Sequence, residues 1–152
     1  MDPEESQELR ELLEYPENTA GGIMTTEYAA VIGNKTTKDV MKEIRKIADD
    51  VETLYYVYIL SYDEKLEGVV TIREILLNDD ETKIYDYMNK DLVSVNVNEE
   101  ENEVAKIIAK YNLIALPVLD DDEKMKGIIT VDDAIDIILP TAWKKRLPKM
   151  FR

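Results

Sequence analysis

The 152-residue chain carries 33 acidic against 19 basic side chains, a net charge of −14, with no cysteine and no histidine. That excludes a disulfide framework and thiolate metal sites, removes imidazole as a general base, and argues against nucleic acid, whose phosphates need a basic face. What remains for a cation is carboxylate, carbonyl and hydroxyl oxygen, the donor set of hard ions such as Mg²⁺ or Ca²⁺.

Asp2-Pro3-Glu4-Glu5 predicts a helix start, with Asp2 as cap and Glu5 closing a capping box. The same acidic opening lacks the basic start of a signal peptide. Leu9, Leu12 and Leu13 give this short helix one thin apolar stripe, so it needs something to dock on. Pro16 to Gly22 is predicted as a loop and Tyr28 to Ile32 as a short strand. Thr36 or Thr37 then caps a helix with Val40, Met41, Ile44, Ile47 and Ala48 at helical spacing. Leu54 to Leu60 is predicted strand, and Ser61 to Lys65 a turn.

Leu66-Glu67-Gly68-Val69-Val70-Thr71 follows, then a helix from Ile72 to Leu77. The glycine suits a tight turn, the β-branched run an extended backbone, and Thr71 a helix cap. After the polar linker Asn78 to Glu81, Thr82 is predicted to cap a helical turn ending at Met88. The pattern then repeats, with Val93 to Val97 in the place of the first strand. Asn98 and Glu101 are spaced as a capping box for a helix with Val104, Ile107, Ile108 and Tyr111 inward. Ala115 to Leu119 is strand and Asp120 to Glu123 an acidic turn. Met125-Lys126-Gly127-Ile128-Ile129-Thr130 repeats the anchor unit, with its strand from Lys126, and a helix from Val131 to Leu139 stops before Pro140. The tail from Lys144 to Arg152 is basic. No apolar run approaches the ~20 residues that cross a bilayer.

The expected architecture is α/β: two pseudo-symmetric β-α-β-β-α repeats packed as one module, preceded by a short helix. The expected divisions are helix and linker 1–22, repeat one 23–79, repeat two 80–139, and a basic tail or linker to an output domain 140–152. Such a tandem, with glycine, apolar residues and Thr closing the last strand, resembles a pair of CBS domains. Leu13-Glu14-Tyr15-Pro16-Glu17-Asn18-Thr19-Ala20-Gly21-Gly22-Ile23-Met24-Thr25 looks like the junction before the CBS pair in the MgtE magnesium transporters. Glu52 to Tyr58 and Thr130 to Asp136 also resemble that family. The resemblance implies a regulatory module on the cytoplasmic side of the cell membrane, paired as a homodimer and joined to a membrane-embedded transport domain. It implies Mg²⁺ sensed between acidic surfaces, and no catalysis.

On the residues themselves, Asp132 and Asp136 are i,i+4 neighbours, and Asp133 and Asp136 i,i+3 neighbours, on one helix. Dipole stabilisation at a helix start would account for Asp132 and Asp133, but less well for Asp136. By resemblance Glu100 matches an acid of the family's Mg²⁺ sites. Asn102 and Asn112 stand where that family often carries acids, and bring an oxygen without charge. The basic stretch after Pro140 departs from the family's acidic linking helix, which leaves the output domain open.

The competing ligand class is an adenine nucleotide such as ATP or AMP, which CBS pairs commonly hold. By that resemblance Thr130 with Asp133, and Thr71 with Glu74, would hold ribose, Arg73 a phosphate, and Tyr56 an adenine ring. Leu113 and Pro117 would line the base pocket. Capping alone also explains the two threonines, and core packing Tyr56. A catalytic role has little to stand on: the sequence lacks a Gly-rich phosphate loop and a serine elbow.

Overall fold

The computed structural model describes residues 15–139, so the predicted N-terminal helix and the basic tail lie outside the described residues. The chain forms two compact units. One comprises residues 27–93 and 122–125; the other comprises residues 15–26, 94–121 and 126–139.

In the first unit, β1 (Ala30–Ile32) runs parallel to β2 (Tyr56–Leu60), and β2 is antiparallel to β3 (Leu66–Thr71). The crossover between β1 and β2 contains α1 (Thr37–Ile47), capped by the Thr36 hydroxyl, which accepts from the Asp39 N–H. A six-residue helix, α2 (Ile72–Leu77), follows β3. Val40 and Ile44 of α1 and Ile75 of α2 pack with Val57, Ile59 and Val70 into one apolar cluster. Side chains alternate across a strand, so Tyr56 and Tyr58 stand on the opposite face of β2.

In the second unit β4 (Val95–Asn96) runs parallel to β5 (Ala115–Leu119), with β6 (Met125–Thr130) beside β5. Here α3 is Glu101–Tyr111 and α4 is Val131–Ile138, and the two helices pack together. Leu116, Val118, Ile128, Ile129 and Val104 are fully buried. The expected α/β class with two repeats is present.

Three local expectations are corrected. Residues predicted as loop include a helical turn, Ala20–Ile23, held by Ala20 and Gly21 N–H groups donating to the carbonyls of Glu99 and Val97. Asn98 does not cap α3; Glu100 is its N-cap, without a side-chain bond, and the Glu101 N–H donates instead to the Asn18 carbonyl. Thr82 does not cap the turn to Met88. That turn is a 3₁₀ segment, Ile84–Asp86, preceded by Lys83, while the Thr82 carbonyl accepts from the Thr37 N–H and hydroxyl.

The anchor glycines also differ from the turn role their sequence suggests. Gly68 sits within β3 opposite Ile59, and neither it nor Gly127 has positive φ. A Cβ on Gly68 would stand 2.5 Å from Met88 Sδ, and one on Gly127 2.6 Å from Met24 Sδ and 2.7 Å from the Thr25 carbonyl oxygen. Each glycine admits the residues that lead into the other repeat. Asn89 exchanges two backbone hydrogen bonds with Val69, and Thr25 exchanges two with Ile128.

Candidate functional site

In the first unit Thr71 closes β3 and caps α2. Its hydroxyl accepts from the Glu74 N–H at 3.1 Å, and the Glu74 carboxylate accepts from the Thr71 N–H at 3.0 Å. The Thr71 hydroxyl also lies 3.0 Å from that carboxylate. The predicted ribose pair therefore meets, already engaged in a full capping box. Tyr56 is the cross-strand partner of Thr71 and is half-buried, with the Tyr55 ring edge-on at 4.9 Å. Arg73 is exposed on the first turn of α2. Tyr56 and Thr71 thus share the end of one strand pair, and Glu74 reaches Thr71 from the helix that follows.

Tyr58 was not anticipated. It is 2% exposed, its hydroxyl is buried without a hydrogen-bond partner, and the Tyr28 and Tyr56 rings flank it at 6.1 and 6.3 Å. Burial first, then the neighbouring tyrosines Tyr56 and Tyr28, pushes its phenol well above the ordinary range. The only sequence signal was the Tyr-Val-Tyr alternation, which places Tyr56 and Tyr58 on one face. An unpaired buried hydroxyl costs stability, so Tyr58→Phe is expected to raise the unfolding free energy by about 1 kcal/mol. Urea denaturation checks this, and a loss of similar size would show that the hydroxyl has a partner.

In the second unit Thr130 closes β6 and caps α4. Its hydroxyl lies 3.1 Å from Asp133 Oδ2, to which it donates, and it accepts from the Asp133 N–H at 3.4 Å. Burial raises the Asp133 carboxyl above the usual carboxylate range; the Thr130 hydrogen bond opposes this, and the charges of Asp136 and Asp132 add to it. Asp136, one turn further along α4, has Oδ1 buried and without a partner, whereas Asp132 faces solvent. The three acids are thus not equivalent: Asp133 and Asp136 are drawn inward while Asp132 remains wet.

Glu100 and Asn112 occupy the two ends of α3, as N-cap and left-handed C-cap. At 1.5 Å rise per residue they are about 18 Å apart, so they cannot ligate the same ion. Both are exposed, and the Glu100 carboxylate accepts from the Asn102 amide at 3.0 Å. Leu113 is half-buried and Pro117 buried. Among the described residues no three acids converge closely enough to hold a metal within one chain. No helix among them is long and apolar enough to cross a membrane.

Two three-stranded sheets, each closed by a threonine that caps the following helix, define the class: the CBS domain family matches residues 20–80 and 84–140, and the chain belongs to it. More particularly, the chain is 43% identical over 135 residues to the magnesium transporter MgtE of Enterococcus faecalis, covering 89% of this chain and 30% of that protein. It is similar, at 42% identity and TM-score 0.88, to a crystal structure of the soluble part of a magnesium transporter, covering 91% of this chain and 54% of that one. A crystal structure of the cytosolic domain of the Mg²⁺ channel MgtE in complex with ATP matches at 37% identity and TM-score 0.87, over 90% of this chain and 55% of that one. The chain therefore spans under a third of that curated relative and about half of each of the two structures. The CBS pair of MgtE type expected from the sequence is what these comparisons find.

Proposed function

We propose that this chain is the regulatory module of an MgtE-like Mg²⁺ transporter. In this reading it stands on the cytoplasmic side of the membrane, is joined to a membrane-embedded transport domain, works as a homodimer and catalyses nothing. The similarity to MgtE proteins supports the setting. The observation that carries the sensing role is the pair Asp133 and Asp136 on α4: one carboxyl disfavoured as an anion, the other with a buried oxygen that has no partner.

A hard divalent ion suits such a pair, because Mg²⁺ takes oxygen ligands, keeps several of its waters and needs only one or two carboxylates. When bound, it would supply positive charge that offsets the burial opposing the Asp133 anion. Asp133 and Asp136 would hold it, with Asp132 at the wet edge. Glu100 and Asn112 would serve two further positions, one at each end of α3. Without the ion the ionised carboxylates repel, which favours arrangements that separate acidic surfaces. The test is the melting temperature under Mg²⁺ titration for the wild type and an Asp133→Asn, Asp136→Asn variant. An identical response in both overturns the assignment.

A second reading, an adenine nucleotide, is favoured by the pairing of Tyr56 with Thr71 and by the ATP complex of the similar MgtE domain. Here, in the first unit, Tyr56 stacks on the base, Thr71 and Glu74 hold ribose and Arg73 takes a phosphate; in the second unit, taken by itself, Thr130 and Asp133 hold ribose and Leu113 and Pro117 line the base pocket. Calorimetry with ATP, ADP and AMP decides it. Arg73→Ala is expected to weaken ATP binding by about tenfold or more, the value of a charge-assisted hydrogen bond. An unchanged affinity removes Arg73 from the site.

A further inference from the structure

The chain has six methionines and no cysteine, so two-electron oxidation of sulfur falls on thioethers. Four of the six lie among the described residues, and their settings differ. Met24 and Met125 are buried, at 6% and 5% exposure, whereas Met41 and Met88 are half-buried. Met41 lines a surface groove on α1, where an added oxygen would reach water. Met88 instead packs on the core of the first unit, with its Sδ against Gly68 of β3. A Cβ on that glycine would stand 2.5 Å from the sulfur and 2.8 Å from Met88 Cγ, so the fit has no slack for another heavy atom. The next atom there is the Asn89 carbonyl oxygen at 3.2 Å, an acceptor that offers a sulfoxide no hydrogen bond.

We propose that Met88 is a peroxide-sensitive modification site whose sulfoxide releases the strap Met88-Asn89 from β3. In the step, a lone pair of Sδ attacks one oxygen of hydrogen peroxide as the O–O bond breaks. The departing hydroxide takes the proton of the transferred oxygen and leaves as water. Sulfur is oxidised by two electrons and the peroxide is reduced by two. The product carries a polar oxygen where an apolar thioether had packed. That oxygen needs water, and reaching water draws the side chain off the sheet. Met88 adjoins Asn89, whose N–H donates to the Val69 carbonyl at 2.8 Å and whose carbonyl accepts from the Val69 N–H at 3.0 Å. Those two bonds cover the outer edge of β3, and they are what oxidation loosens. Met24 makes the matching contact with Gly127 in the second unit, but its burial shields it from oxidant. Of two equivalent latches, the one in the first unit is open to peroxide.

The test treats the whole 152-residue chain with hydrogen peroxide and maps sulfoxides by mass spectrometry after proteolysis. Met88 sulfoxide is expected well before Met24 or Met125 sulfoxide. With it, exchange of the Val69 and Asn89 amide hydrogens should quicken about tenfold. The melting temperature should fall by roughly 3 °C. Methionine sulfoxide reductase should restore both. In Met88→Leu, a volume-conserving swap without sulfur, Val69 exchange should not respond to peroxide. Met41→Leu should respond as the wild type does. Met1 and Met150 are present in every version and cancel from the comparison. Oxidation of Met24 as fast as Met88 overturns the proposal. So does Met88 sulfoxide with unchanged Val69 exchange, which assigns an inert surface oxidation, and so does an equal peroxide response in Met88→Leu. Mapping, exchange and reversal are read on the unaltered chain, so the outcome does not depend on that variant folding.

Discussion

Gly127→Ala is expected to destabilise the chain by about 3 kcal/mol, the upper end of the cost of overpacking. The added methyl would meet Met24 Sδ at 2.6 Å, Met24 Cγ at 2.9 Å and the Thr25 carbonyl oxygen at 2.7 Å. A thioether can rotate away, but the Thr25 carbonyl is fixed by the hydrogen bond it accepts from the Ile128 N–H. Gly68→Ala meets the corresponding methionine at 2.5 Å, yet its nearest backbone atom, the Asn89 oxygen, is 3.2 Å away. It is expected to cost less, about 1 kcal/mol. Urea unfolding of both variants checks the order. A second change sharpens it: truncating Met88 should recover part of the Gly68→Ala loss, whereas truncating Met24 should not rescue Gly127→Ala. Equal losses at the two glycines would mean that the backbone contact is not what matters.

The other large effect concerns Asp133 and Asp136. If the pair binds Mg²⁺, the ion stabilises the wild type by about 2.7 kcal/mol at a hundred times its dissociation constant. The Asp133→Asn, Asp136→Asn variant should lose that gain, which differential scanning calorimetry reads directly. Without Mg²⁺ the sign reverses. Asp133 has a raised folded pKa, chiefly through burial, so its ionisation opposes folding. That cost is present in full above the folded pKa and disappears as pH falls through it towards the unfolded value. Asp133→Asn should therefore raise the melting temperature of the ion-free chain at neutral pH, and the advantage should fade in acid. A variant less stable than the wild type at neutral pH without Mg²⁺ would contradict this.

The sequence carried much of this because its strongest signals are local. A glycine, a β-branched run and a capping threonine sit within a few residues of one another, so both anchor units and the helices after them were legible. Asp133 and Asp136 were placed on one face by spacing alone, and the structure keeps them there. What was illegible depends on distant partners. The start of α3 is set by the Asn18 carbonyl, far upstream, so the Asn98–Glu101 spacing misled. The orphaned hydroxyl of Tyr58 follows from the rings packed around it, and no local pattern announces a missing hydrogen bond. The purpose of Gly68 and Gly127 was misread for the same reason, since the atoms they make room for come from the other end of a repeat.

That arrangement has a consequence for where the gene can be cut. Thr25 bonds to the sheet of the second unit and Asn89 to that of the first. A fragment that began at the first repeat and stopped before Met88 would keep a strap belonging to its missing sibling and lose its own. Its β3 would be left with the backbone groups of Val69 unpaired, an open edge that recruits another molecule. The ends of the sequence repeats are thus not the ends of the sheets: a piece spanning residues 27–93 keeps Asn89 with Val69, whereas the second sheet needs Thr25 from upstream of the first.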